Sequence, residues 1–231
     1  MRTAVLLSGG LDSAVLLADE ASRVRNDDLD RVQPIYISAG LAWETAERAI
    51  TARLLESPPL RGRVRPLVSL SVDMRDVYAA THWAVTGQAP AYHTPDEDVY
   101  LPGRNIILLS KAGVFCAAAG VKINRIVIGT LDHNPFPDAT PAFRASIAQA
   151  LSLRLAHDLR VDAPYATSCK ADVIRTGIAL GVPFEFTLSC MKPAGDTHCG
   201  TCSKCRERHD AFLEVGVSDP TTYASVEFTR T

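Results

Sequence analysis

A chain of 231 residues, 47% hydrophobic and 22% charged, suits a globular protein with one sizeable core and room for a small appendage. Its net charge of −2 gives no global basic footprint, which argues against direct nucleic-acid binding. No apolar run approaches the length of a membrane span and no signal-peptide layout precedes the first strand, so a cytoplasmic setting without membrane contact is expected, with the six cysteines reduced or metal-bound.

Ala4 to Leu7 is an apolar run of strand type. Ser8-Gly9-Gly10-Leu11-Asp12-Ser13 follows it, and Ala14 to Ala21 is amphipathic. That order reads as buried strand, glycine turn and helix. Adjacent glycines let backbone N–H groups approach a ligand closely, and the helix N-terminus adds a positive dipole end. The turn therefore suits a phosphate or pyrophosphate. Ser8 and Ser13 can add hydroxyl donors, and Asp12 can hold Mg²⁺ or its waters. The pattern is neither GxxxxGK[ST] nor GxGxxG. It resembles the SGGxDS signature of the PP-loop ATP pyrophosphatases, which cleave ATP between its α and β phosphates. That resemblance makes Leu7, Ser8, Gly9, Gly10, Leu11, Asp12, Ser13 and Ala14 the expected ATP-binding segment.

Val32 to Ser38 reads as a second strand, Trp43 to Leu55 as a helix with Arg48, Arg53 and Glu56 on its wet side, and Val64 to Leu70 as a third strand. Residues 81–100 are rich in Pro, Thr, His and Tyr without periodicity and read as an ordered loop over the ligand site. Asn105 to Ala119 is a helix and Arg125 to Gly129 a fourth strand. Pro141 to Ala156 and Lys170 to Leu180 are helices, the latter ending at Gly181. Strands alternating with helices imply an α/β fold with a parallel sheet covered on both faces. Ligands of such sheets sit outside the carboxyl ends of the strands. Ser8–Ser13, the residues after Ser38 and the loop after Gly129 are thereby expected on one rim.

Cys190, Cys199, Cys202 and Cys205 are spaced C-x8-C-x2-C-x2-C. Four thiolates at this density can surround one tetrahedral Zn²⁺ and leave no open position, so a structural site is expected. An iron–sulfur cluster is the rival occupant. His198 is awkwardly placed to replace a cysteine, being next to Cys199. Cys116 and Cys169 are expected to be buried or half-buried packing residues. The division expected is an ATP-binding α/β domain over 1–185 and a metal-binding C-terminal region over 186–231 packed on it. Trp43 and Trp83 read as packing, and His82, His93 and His133 as solvated loop residues.

With the phosphate loop at one end and the cysteine knuckle at the other, the chain resembles the QueC family, the 7-cyano-7-deazaguanine (preQ0) synthases. Leu101-Pro102-Gly103-Arg104-Asn105 resembles that family's PGRN segment, and Phe136-Pro137-Asp138 with Phe143 resembles its YPD-containing loop. Lys170-Ala171-Asp172 resembles its lysine segment, and Cys190, Cys199-Gly-Thr-Cys-Ser-Lys-Cys205 and Arg208 resemble its zinc module. The resemblance implies a PP-loop, Rossmann-like domain of the adenine-nucleotide α hydrolase type. It implies an ATP-dependent ligase that adenylates the carboxylate of 7-carboxy-7-deazaguanine and captures it with ammonia. The implied catalytic residues are Asp12, Lys170 and Arg104, and the implied substrate contacts are Arg104, Asn105 and Asp138. ATP, Mg²⁺ and Zn²⁺ are the implied cofactors, and a homodimer the implied assembly.

Two stretches depart from the family pattern. Ile37-Ser38-Ala39-Gly40-Leu41 lacks the family's Tyr and Gln, and Thr130–Pro135 lacks its acidic-hydroxyl-glycine run. They motivate an alternative in which the activated acyl group passes to another amine, such as a protein terminus. A sulfur-inserting tRNA enzyme and a non-catalytic zinc module are further readings. The net charge and the four clustered cysteines oppose the first, and the intact Ser8–Ser13 loop opposes the second. Ser218 to Thr231 carries no functional signal.

Overall fold

The computed structural model describes residues 2–24, 31–120 and 122–225. Its centre is a five-stranded sheet in the order β3-β2-β1-β4-β5, with every adjacent pair parallel. The strands are β1 (Thr3–Leu6), β2 (Gln33–Ser38), β3 (Val68–Ser71), β4 (Arg125–Val127) and β5 (Arg160–Asp162). Helices α1 (Leu11–Ser22), α2 (Glu44–Leu55), α3 (Trp83–Thr86), α4 (Arg104–Ala118), α5 (Pro141–Leu155), α6 (Lys170–Ala179) and α7 (Ser203–Val215) alternate with them or follow them. Among the described residues no helix is long and apolar enough to cross a membrane.

Side chains of a strand alternate between its two faces, and β1 shows the consequence. Val5 packs with α1, α6 and α7 residues such as Leu16, Val173 and Phe212. Its neighbour Ala4 packs with Leu109, Ala112 and Leu159 on the opposite face. Both faces are covered, as the alternating pattern requires. Phe212 and Ala211 of the C-terminal helix belong to the same core as α1 and α6. A third apolar cluster joins Trp43, Tyr78, Val99 and Leu101 to Leu188, Cys190 and Cys205, so the loop region and the cysteine knuckle share one core.

The chain order reverses between β1 and β4, which are neighbours although β2 and β3 lie between them in sequence. The crevice at the carboxyl ends of such a pair is where ligands of open α/β sheets bind. Gly129, just past β4, sits so near the turn after β1 that a Cβ there would lie 3.4 Å from the Ser13 amide nitrogen. Gly9 has φ +74, and a Cβ on it would stand 2.7 Å from Thr51 Oγ1 of α2. Glycine is thus dictated at Gly9 both by the left-handed backbone and by the packing of α2.

Several boundaries differ from the sequence reading. Helix α1 begins at Leu11, so Asp12 and Ser13 lie in its first turn rather than in the loop. The third strand starts at Val68; Val64 makes only an isolated bridge to Val32, and Pro66 between them has no N–H for a ladder. Strand β5 and helix α7 escape the pattern reading, β5 because two of its three residues are charged and α7 because SKCRERHDAFLEV is largely polar. Residues 81–100 hold α3 and a 3-10 turn at Asp96–Val99, and Trp83, Asp96 and Val99 line the cavity as the loop reading expects. Cys116 is buried in α4, but Cys169 is exposed at the N-cap of α6 rather than packed.

Candidate active site

The turn between β1 and α1 is braced from within. Ser13 Oγ accepts the Ser8 N–H at 3.2 Å and donates to the Gly10 carbonyl at 3.0 Å, while Ser8 Oγ accepts the Gly10 N–H at 3.3 Å. The Ser13 hydroxyl proton is therefore engaged inside the loop instead of pointing at a ligand. Gly10 occupies the N-cap of α1 with no side-chain cap, which leaves the helix end suited to an external anion. Ser8, Gly10, Leu11 and Asp12 line a cavity of about 420 Å³. Leu7 and Ala14 are buried and belong to the core, and Gly9 packs against α2.

Asp12 reaches Lys170, the first residue of α6, at 3.1 Å. Lys170 also contacts Glu207, whose other oxygen meets Lys204 at 2.7 Å, and Lys204 lies 3.3 Å from Asp96. These five residues form an alternating chain of charge along the cavity wall, and all five line it. Burial raises the Asp12 carboxyl above its usual range, and Lys170 works against that rise. Burial pulls the Lys170 ammonium down, but Asp12 and Glu207 outweigh it and keep the ammonium charged. Burial likewise opposes ionisation of Glu207, yet Lys170 and Lys204 hold it at about 2. Asp12 Oδ1 is buried and has no hydrogen-bond partner. An orphaned carboxylate oxygen beside a phosphate-type loop fits a cation or its waters, so Asp12 is suited to hold Mg²⁺.

Arg104 and Asn105 open α4, and Arg104 lines the same cavity. Asp138 Oδ2 accepts the Asn105 N–H at 3.3 Å, and the Asn105 side-chain amide donates to the Asp138 carbonyl at 3.1 Å. Asp138 thus sits at the N-terminus of α4, where a carboxylate favours the helix dipole, while Thr140 caps α5. Its Oδ1 is buried without a partner, and burial raises its pKa. Arg104 Nε is buried without a partner as well. Asn105 and Asp138 line a second cavity of about 280 Å³, which shares Ser8, Gly10, Asp12 and Arg104 with the first. The structure therefore gathers Asp12, Lys170, Arg104, Asn105 and Asp138 around two adjoining lobes that meet at the Ser8–Ser13 turn.

Sequence reasoning missed part of this wall. Glu47 of α2 lines the main cavity and accepts hydrogen bonds from Tyr36 Oη–H and Trp43 Nε1–H, both at 3.0 Å. Burial lifts its carboxyl to about 7 despite the nearby Arg104 charge. Trp43 stacks on Trp83 with ring centroids 5.6 Å apart; both pack in one core cluster, as expected, and both also border the cavity. His133 also lines it, whereas His82 accepts the Ala84 N–H at the start of α3. The two departing stretches fare differently. Glu44 accepts from the Ser38 hydroxyl and the Ala39 N–H and closes the turn after β2; none of Ile37–Leu41 borders either cavity, and Ile37 lines only a small neighbouring one of about 50 Å³ with Ser8, Glu47 and Arg104. Residues 130–135 do border them.

The four cysteine sulfurs lie within 4.8 Å of one another. Cys199 and Cys205 Sγ are 3.9 Å apart, and Cys202 and Cys205 Sγ are 3.5 Å apart. A tetrahedral zinc with Zn–S bonds of about 2.3 Å separates its sulfurs by about 3.8 Å, so the spacing fits. The N–H groups of Lys192 and Cys199, each 3.2 Å from Cys190 Sγ, are placed to donate to a thiolate. His198 stays out of the cluster and accepts the Ser189 N–H at 3.0 Å. Cys202 is the N-cap of α7, so the knuckle sets where that helix starts. Three residues past Cys205, the buried Arg208 donates to Thr187 Oγ1 at 2.7 Å, the Phe184 carbonyl at 3.0 Å and Asp219, tying α7 to the turn that follows α6.

The fold and site define a parallel α/β protein of the PP-loop kind, with a glycine turn suited to an anion at its switch point and a four-cysteine cluster that could hold a metal ion. The chain belongs to the QueC family: the family model described as "Queuosine biosynthesis protein QueC" matches residues 2–216. A relative from Paracoccus denitrificans named "7-cyano-7-deazaguanine synthase" is 33% identical over 100% of this chain and 96% of its own length. Proteins of the same name from Anaeromyxobacter dehalogenans and an Azoarcus species are 33% and 31% identical, each over 96% of both chains. Among solved structures, the U34-tRNA thiolase NcsA from Methanococcus maripaludis with its [4Fe-4S] cluster aligns with a TM-score of 0.48 and 14% identity, over 93% of this chain and 67% of that one.

Proposed function

We propose that this chain is an AMP-forming, ATP-dependent carbon–nitrogen ligase that converts 7-carboxy-7-deazaguanine to 7-cyano-7-deazaguanine. The observation that carries the reading is the Asp12–Lys170 pair beside the Ser8–Ser13 turn, in a cavity that shares Asp12 and Arg104 with the adjoining one lined by Asp138. The full-length similarity to proteins named for that synthesis supports it.

A carboxylate is a poor electrophile because oxide would have to leave. Attack of its oxygen on the α phosphorus of ATP gives an acyl-adenylate and releases pyrophosphate. Ammonia then forms the amide, AMP leaves, and one proton is lost. A second ATP adenylates the amide oxygen, and departure of AMP with loss of the remaining N–H protons leaves the nitrile. The backbone N–H groups of the turn and the helix end hold the pyrophosphate. Lys170 and Arg104 offset the charge of phosphate and carboxylate. Asp138, through its unpartnered oxygen, accepts from the N–H edge of the deazaguanine ring. Mg²⁺ held by Asp12 supplies neutralisation of phosphate charge, and Zn²⁺ on Cys190, Cys199, Cys202 and Cys205 supplies a structural crosslink.

Purified protein incubated with ATP, 7-carboxy-7-deazaguanine and ammonium is expected to yield AMP, pyrophosphate and the nitrile, resolved by chromatography. ADP as the main nucleotide product would falsify the mechanism. AMP formation with no nitrile, but with the acyl group transferred to an added amine, would keep adenylation and replace ammonia as the acceptor.

A further inference from the structure

Among the described residues, the cavity wall holds one lysine that these roles do not use. Lys204 borders the main cavity together with Ser8, Gly10 and Lys170. It is delivered from the first turn of α7, between the cysteines Cys202 and Cys205. Its ammonium and that of Lys170 rest on the two oxygens of one carboxylate, Glu207. Their side chains are only 27% and 15% exposed, so both charges act with reduced solvent screening. Two ammonium groups held one on each oxygen of a carboxylate are spaced as they would be on two oxygens of a phosphoryl group. Glu207 thus occupies, toward the two lysines, the place an anionic ligand would take, and prevents them from repelling each other. The lining carboxylates Asp12, Glu47, Asp96, Asp132 and Glu207 make a second lysine useful to any polyphosphate entering this cavity.

We propose that Lys204 is a second phosphate-binding lysine, which moves from Asp96 to the pyrophosphate part of the nucleotide while Glu207 keeps it in register with Lys170. This rests on the ATP reading given above. The cysteine knuckle is then a wall of the nucleotide site as well as a crosslink, because it fixes the start of α7 and hence the position of both Lys204 and Glu207.

Calorimetric titration of the full-length, metal-loaded protein with inorganic pyrophosphate and with α,β-methylene ATP tests this by opposite signs. Lys204→Met is expected to weaken pyrophosphate binding about tenfold or more, the worth of one charge-assisted hydrogen bond, and Lys204→Arg to restore most of it. Asp96→Asn removes the competing carboxylate from outside the knuckle and is expected to tighten binding. If Lys204 merely ties α7 to the 96–99 turn, Lys204→Met and Asp96→Asn will both lower the melting temperature and neither will change pyrophosphate affinity, which overturns the proposal. Elemental analysis of zinc per chain separates knuckle damage from loss of a ligand. Should Lys204→Met fail to fold, an unchanged affinity in Asp96→Asn overturns it alone. A parent protein that binds neither probe removes the ATP reading itself, whereas tight binding by the parent matched by Lys204→Met removes only the role of Lys204.

Discussion

Glu47 gives a direct test of how the cavity wall is held. Its carboxyl is withdrawn from water and rises from the ordinary 4.5 to about 7, with burial as the leading cause. An acid with a raised folded pKa binds its proton more tightly when folded, so stability falls as pH climbs from the unfolded to the folded value. The window here runs from about pH 4.5 to about pH 7. At roughly 1.4 kcal/mol per pH unit, the loss across it is about 3 kcal/mol. Glu47→Gln keeps an acceptor for the Trp43 N–H and a partner for the Tyr36 hydroxyl, while removing the buried charge. The variant should match the parent near pH 4.5 and exceed it by about 3 kcal/mol at pH 8. Urea denaturation of both proteins from pH 4.5 to 8 reads the difference, and the subtraction cancels every other titrating group. Parallel curves for the two proteins would refute the argument. So would a variant less stable than the parent at pH 8, because it would mean that the Glu47 charge is stabilised by Arg104 more than it is penalised by burial.

Asp12→Ala should abolish pyrophosphate release with every acyl acceptor, since it removes the group suited to the metal and unpairs Lys170; single-turnover assays with labelled ATP show this directly. Elemental analysis should find about one zinc per chain, and Cys202→Ser, which breaks both the thiolate set and the N-cap position of α7, should give misfolded or insoluble protein. Iron with visible absorbance would contradict that assignment. Asp138→Ala should cost about 1 kcal/mol of stability by losing the acceptor at the start of α4. It should also weaken deazaguanine binding by about 1–3 kcal/mol while ATP binding persists; equal deazaguanine affinity in parent and variant would move the ring elsewhere in the cavity.

The features legible in the sequence are those written into neighbouring residues. Ser8–Ser13 announces an anion turn because a tight glycine turn before a helix needs only contiguous residues. The cysteine spacing announces a metal knuckle for the same reason, and alternating apolar runs announce a parallel sheet. Strand β5 stays hidden because an edge strand of three residues, two of them charged, has no apolar run to betray it. The charge chain of Asp96, Lys204, Glu207, Lys170 and Asp12 is hidden for another reason: its members come from a 3-10 turn and from helices α7, α6 and α1. The buried carboxyl of Glu47 belongs with them, since Tyr36 on β2 and Trp43 just before α2 meet it only once the sheet and its helices have packed. Local chemistry by itself determined the loop, the knuckle and the fold class. Tertiary structure decided which charges face one another, because Coulomb and hydrogen-bond energies depend on separation and burial in space, and separation along the chain does not encode either.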